Sequence, residues 1–222
     1  MSESDSIGKA AAGFVLAGGE SRRMGRDKAL VEFGGEPLVA RAIGIMREAG
    51  LEPRIAGARA TLDVFAPVIA DAEPGRGPLG GICAALAACA EQWAVFLPVD
   101  LPLLPASLIA YLLRRAQVTQ SAITLASVGG FAQTFPAVVD RAVLPALEAE
   151  LDAGSLGAFA ALHAATAALG QRVQTVAVEY AAQAGQAAHP EGLPAGLWFL
   201  NVNSPAELRR AEALAGRATS VI

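Results

Sequence analysis

Reactive side chains are scarce in this sequence. Its 222 residues include two cysteines, two histidines and only 5% aromatics. Cys83 and Cys89 sit six apart in an alanine-rich apolar stretch. That is neither a disulfide framework nor a metal-ligand spacing, so both read as small buried hydrophobes. His163 and His189 stand apart from the cysteines, which argues against a zinc site. Charge is thin as well, at 17% of residues with a formal net charge of −4. Such a balance does not favour nucleic acid or a membrane surface as the main partner. No stretch of about 18 apolar residues escapes interruption by a charge, a proline or several glycines, which argues against a membrane-spanning helix. The opening MSESDSIGKAAAG is acidic and lacks the basic start of a signal peptide. We expect a cytoplasmic protein with a flexible tail over residues 1–12 and a single domain over 13–222, long enough to bury a full core.

What charge there is gathers after the first hydrophobic run. Phe14-Val15-Leu16 reads as the end of a buried strand, and Ala17-Gly18-Gly19 lets the backbone turn tightly and approach a ligand. Ser21, Arg22, Arg23, Arg26 and Lys28 follow, opposed only by Glu20 and Asp27. Free amides and cations at a strand end suit a polyphosphate. Arg22 and Lys28 are the stronger candidates, because adjacent arginines rarely point the same way and Arg23 is Arg22's neighbour. A P-loop is excluded, since no Gly-Lys-Ser/Thr follows Gly19 and Gly25, and the dinucleotide G-x-G-x-x-G is missing too.

Further along, Ala29–Phe33 reads as a short extended piece, and a helix opens at Pro37 and stops at Gly50. Weak strands are expected at Pro53–Gly57 and Val68–Ala70, the latter ending at Asp71, with a short helix near Thr61–Phe65 between them. Gly80 and Gly81 open another helix, where they suit either close helix–strand packing or close approach of a ligand. Trp93–Leu97 is the clearest buried strand and ends in Pro98-Val99-Asp100-Leu101-Pro102. A carboxylate at a strand's C-terminal end lies where open α/β sheets bind ligands. Beside a phosphate site, it suits Mg²⁺, which takes one or two carboxylates plus substrate phosphates. Ala122–Ala126 and Gln133–Val139 read as strands around a Gly129-Gly130 turn. Helical stretches at Ala142–Leu151 and Leu156–Leu169, and a strand at Val173–Val178, come next. Ala181–Gly196 reads as loop, Leu197–Leu200 as a last strand, and Ser204-Pro205 as the cap and first residue of a final helix running to about Ala215.

Four runs carry a resemblance. L-A-G-G-x-S-x-R-M-G-x-D-K stands without a gap from Leu16 to Lys28; G-P-L-x-G occurs at Gly77–Gly81, P-V-D-x-P at Pro98–Pro102, and N-V-N-S-P-x-E-L at Asn201–Leu208. Together they resemble the molybdenum cofactor guanylyltransferases, over about Phe14–Leu104 and Phe199–Leu208. The resemblance implies a three-layer, Rossmann-like α/β fold of the nucleotide-diphospho-sugar transferase type, with a mostly parallel sheet and helices on both faces. It implies transfer of GMP from GTP to the terminal phosphate of molybdopterin, with Mg²⁺ as cofactor. Leu16, Ala17, Gly18, Gly19, Ser21, Lys28, Asp71, Gly80 and Asp100 would bind nucleotide, Asp100 would hold the metal, and Arg22, Lys28 and Asp100 would act in catalysis. Asn201 and Asn203 would serve the acceptor side. Molybdoenzyme maturation proteins would be further partners.

The second half departs from that pattern. Ala56 or Gly57 stands where the family commonly has asparagine, Phe135-Pro136 where many members have His-Pro, and Gly154–Ala161 carries no basic residue. The alternatives are a cytidylyl- or sugar nucleotidyltransferase, or a non-catalytic protein that binds or delivers the cofactor. Cytidylyl relatives typically show L-A-A-G at the Leu16–Gly19 position, which favours guanine.

Overall fold

The computed structural model describes residues 11–17, 27–57, 60–70, 76–155 and 157–218. Of the residues expected to bind nucleotide, Gly18, Gly19, Ser21, Arg22 and Asp71 lie outside these ranges.

The centre of the molecule is strand β1 (Ala11–Leu16), buried along its whole length. Ala11 and Ala12, expected in the tail, are therefore sheet residues. Gly13 within it is a packing requirement, because a Cβ there would lie 3.2 Å from Leu51 Cβ. On one side β1 pairs in parallel with β4 (Pro53–Ala56), which pairs in parallel with β5 (Val68–Ile69). On the other side it pairs in parallel with β6 (Trp93–Pro98), Leu16 opposite Pro98. Beyond β6 the direction reverses. β8 (Phe131–Asp140) is antiparallel to β6 and to β7 (Ile123–Val128), and β7 is parallel to the edge strand β9 (Gln174–Ala177). The seven-stranded order is β5-β4-β1-β6-β8-β7-β9. A small hairpin of β2 (Glu32–Phe33) and β3 (Glu36–Pro37) stands apart.

Helices cover both faces, as a parallel sheet requires. Along β6, Trp93, Val95 and Leu97 pack on one face with α1 (Leu38–Glu48), α3 (Ala106–Thr119), α6 (Val178–Gln183) and α7 (Pro205–Ala218). Ala94 and Phe96 pack on the other with α2 (Gly77–Ala87), α4 (Leu144–Asp152) and α5 (Ala158–Ala168). The strand's period of two thus feeds two cores. The expected three-layer architecture is present. No helix among the described residues is long and apolar enough to cross a membrane.

Local chemistry sets several boundaries. Gly129 and Gly130 have φ of 57° and 83°, so the β7–β8 connection is the tight turn that needs a left-handed backbone at both positions. At α7, Ser204 Oγ accepts from Glu207 N at 3.3 Å while Glu207 Oε2 accepts from Asn203 N at 2.8 Å, a reciprocal capping box.

Four expectations are corrected. Ala29 and Leu30 belong to a 3-10 turn over Lys28–Leu30, stabilised because Asp27 accepts from Ala29 N, so only Glu32–Phe33 is extended. The helix expected near Thr61–Phe65 is a 3-10 turn over Ala60–Leu62. Leu197–Leu200 is not a strand: Ala195–Leu197 forms a 3-10 turn, and Trp198 is buried with its indole N–H donated to Leu193 O at 2.7 Å. A four-residue apolar run does not distinguish a strand from a buried turn by periodicity. The loop expected over Ala181–Gly196 begins inside α6 and is fastened to α3, where Ser107 Oγ donates to Ala188 O at 2.8 Å.

Candidate active site

The parallel strands β4, β1 and β6 all end on the same edge of the sheet, and the unusual residues lie there. The backbone joins the strand ends closely: Ala17 N donates to Ala56 O at 3.2 Å, and Val99 N donates to Leu16 O at 3.2 Å. Past the end of β6, Asp100 O accepts from Val202 N at 3.0 Å. That bond draws the C-terminal Asn201–Asn203 run onto the strand that carries the carboxylate.

Side chains complete the junction. Lys28 Nζ lies 2.9 Å from Asp100 Oδ2 and also donates to Asn203 Oδ1. Three motifs far apart in the chain thus meet at one ammonium group. Lys28 and Asp100 retain 16% and 21% of their side-chain exposure, so the pair is sheltered yet reachable from solvent. An ammonium has three donors, and two are used here, leaving one for a ligand.

Asp100 Oδ1 is buried and has no hydrogen-bond partner among the described residues. Leaving a buried acceptor unpaired costs about 1–3 kcal/mol, a cost that an arriving donor or cation would relieve. A divalent cation fits this donor set. Asp100 offers a hard carboxylate oxygen, and Mg²⁺ takes its remaining ligands from phosphates and water. Asp100 would be its protein ligand.

The loop bearing Asp100 is also held from beneath. Arg41 on α1 donates Nε–H to Pro102 O at 2.6 Å, with its guanidinium 4.9 Å from the Phe33 ring centroid. Arg41 carries no motif signature, so sequence reasoning missed it. Behind it, His189 is buried, and loss of water lowers its pKa despite nearby Glu191.

From the carboxylate a cleft of about 540 Å³ opens toward the antiparallel part of the sheet. Leu16, Pro78, Pro98, Asp100 and Leu101 line one end, and Gln133, Thr134 and Phe135 of β8 line the wall. Gly157, Ala158 and Phe159 at the start of α5, with Phe199 and Asn201, complete it. Asp100 is the one charged side chain among these lining residues. Gln133 and Phe159 bore no motif either; an exposed phenylalanine in an alanine-rich helix was the available signal.

Leu16, Ala17, Lys28, Asp100, Asn201 and Asn203 are thus assembled on one edge. Gly80 is less accessible. It is buried in the first turn of α2, and its amide is directed at Arg76 O at 3.4 Å.

The family model of the MobA-like NTP transferase domain matches residues 13–172. The chain belongs to the MobA-like NTP transferase family. Among curated relatives of this MobA-like chain, a molybdenum cofactor guanylyltransferase from Pseudomonas putida is 40% identical over 145 residues, covering 63% of this chain and 75% of that one. A probable molybdenum cofactor guanylyltransferase from Opitutus terrae is 42% identical over 120 residues, covering 51% of this chain and 59% of the relative. The alignment therefore spans little more than half of the Opitutus protein. The crystal structure of molybdopterin-guanine dinucleotide biosynthesis protein A from Archaeoglobus fulgidus superposes with a TM-score of 0.74 at 19% identity, covering 93% of this chain and 99% of that one. At that identity the likeness concerns the fold.

Proposed function

We propose that this chain is a molybdenum cofactor guanylyltransferase, which transfers GMP from GTP to the terminal phosphate of molybdopterin and releases pyrophosphate. The observation that carries the reading is the junction of Lys28, Asp100 and Asn203, which joins three separate motif segments around one cation. The names of the relatives supply the substrates, and the cleft beyond Asp100 has room for an acceptor.

An oxygen of the acceptor's phosphate attacks the α-phosphorus of GTP, and the bond from that phosphorus to the bridging oxygen breaks as pyrophosphate leaves. A phosphate monoester has a second pKa of about 6 and is largely dianionic at pH 7, so no general base is required. The protein's task is to neutralise charge and align the reactants. Lys28 directs its remaining N–H at the phosphates, while Asp100 and Asn203 fix the ammonium. Arg22, with Lys28, would stabilise the β- and γ-phosphates, the amides of Gly18 and Gly19 would hold phosphate oxygens, and Ser21 would take part in binding the nucleotide. Ala17 and Asp71 meet the guanine, whose N1–H and amino group match a carboxylate. Asn201 faces the acceptor. Asp100 would hold Mg²⁺, which would supply further neutralisation of the phosphates.

The test is product formation by the purified chain with GTP, molybdopterin and Mg²⁺. We expect molybdopterin guanine dinucleotide, none with CTP or ATP at comparable rate, and loss of activity on chelation by EDTA. Cofactor binding without turnover would favour a delivery protein instead. We also assign the function to one domain over residues 13–222, working in the cytoplasm.

A further inference from the structure

The strand order divides the ligand edge at Asp100. On one side lie the parallel ends of β1, β4 and β5; on the other lie β8, β7 and the start of α5. The phosphate-binding motifs belong to the first side, so the cleft over the second side is left for the rest of the acceptor. Among the described residues its lining is neutral apart from Asp100 at its inner end. That lining suits an uncharged part of a molecule whose phosphate lies near Lys28.

Two walls define what that part is. One is the ring of Phe159, in the first turn of α5. It is 43% exposed, unusual for so large an apolar group, and it lines the cleft. One turn later on the same helix, the His163 ring lies 4.6 Å from it at 45°, which braces the phenyl group from its own helix. The other wall is the first half of β8. Pairing of β6 with β8 ends at Phe96 opposite Ala137. Gln133–Phe135 therefore have no ladder partner on the β6 side among the described residues, and the peptide groups directed to that side lie outside the ladder beside the cleft. Gln133 donates Nε2–H to Phe131 O at 3.1 Å, which holds the side chain and leaves Oε1 to accept. An apolar face opposite a row of peptide donors and acceptors suits a flat ring with a polar edge.

We propose that Phe159 is the platform on which the acceptor's planar heteroaromatic ring stacks, with the Gln133–Phe135 edge of β8 reading the ring's amide-like rim. The inference rests on the guanylyltransferase reading for the identity of that ring, the pterin of molybdopterin. Phe159 positions and selects the acceptor, and it takes no part in bond making.

The experiment compares the wild-type chain with Phe159→Ala and Phe159→Tyr. Steady-state rates are measured with GTP and molybdopterin varied separately, and molybdopterin binding is followed directly by its pterin fluorescence. Loss of ring–aromatic stacking weakens such contacts by about tenfold or more. Phe159→Ala should therefore raise the KM and Kd for molybdopterin by about that factor, leave the KM for GTP within about twofold, and preserve Tm, since the ring is exposed. Phe159→Tyr should restore acceptor affinity. Unchanged molybdopterin affinity in Phe159→Ala overturns the proposal, as does an effect confined to GTP, which would put the guanine on this ring. Absence of transfer by the wild type would overturn the parent reading, and the fluorescence titration would still decide whether Phe159 holds the pterin.

Discussion

The two halves of the sheet solve different problems. In β5-β4-β1-β6 every strand is parallel, so each strand's last residue arrives at the same edge. Chemistry there is written at strand ends, at Leu16-Ala17 and at Asp100, and short backbone bonds such as Val99 N to Leu16 O bring the ends together. In β8-β7-β9 the β7–β8 hairpin reverses direction, and β8 continues past the end of β6 to form a wall. Among the described residues that half has no charged side chain in the cleft lining. On the function we propose, charge stabilisation belongs to the parallel half and acceptor choice to the antiparallel half. Damage to the first should reduce kcat, and damage to the second should raise an acceptor KM.

The largest expected effect tests the parallel half directly. Asp100→Ala removes the orphaned Oδ1 and the partner of Lys28, and kcat should fall on the order of 10³-fold, the upper range for loss of one preorganised electrostatic group. Circular dichroism and Tm should stay near wild type, because the carboxylate lies past the end of β6 and belongs to neither hydrophobic core. Wild-type turnover at ordinary Mg²⁺ would remove Asp100 from the metal site. Next comes Lys28→Ala, for which kcat should fall by about 10²-fold. A change in KM alone would mean that the ammonium binds substrate and transition state equally.

A smaller effect is expected in base choice. Asp71→Asn should reduce the preference for GTP over ATP by about tenfold, since a matched acceptor pair is lost. Paired-nucleotide competition measures it, and an unaltered ratio would shift guanine recognition to the backbone around Leu16 and Ala17.

The smallest effect concerns the strap that returns from β9 to Asn203. His189 is buried, and its folded-state pKa lies below the ordinary value of 6.5 because burial disfavours the imidazolium. Arg41 adds to the lowering, while Glu191 opposes it. The unfolded chain therefore binds more protons, and the neutral form's contribution is present above pH 6.5 and lost as pH falls below it. His189→Asn should flatten the dependence of Tm on pH between about 7 and 5. Its kcat at pH 8 should match wild type, and an identical pH slope in both proteins would exclude His189 as its source.

Much of the parallel half was legible because its signals are local. A glycine pair after a buried strand, a carboxylate after another and Ser204-Pro205 before a helix each follow from a few neighbouring residues. The sequence placed the end of β1, strand β6 and the start of α7 within a residue. It misread Leu197–Leu200, because an apolar tetrapeptide suits either a strand or a turn built around Trp198. It also ran Val173–Val178 together as a strand, whereas α6 begins at Val178. No local pattern separates these.

By itself, then, the sequence determined the chemistry: which residues carry charge, which edge of an α/β sheet they reach, and which family they resemble. Tertiary structure decided the partnerships. Lys28 meets Asp100 across 72 positions and Asn203 across 175, Arg41 supports the Pro102 carbonyl across 61, and Phe159 comes to face the open edge of β8. The reason is physical. Helix caps and turns are set by hydrogen bonds between near neighbours, whereas the cleft's walls exist only after the two cores have packed helices α1 and α5 onto opposite faces of one sheet.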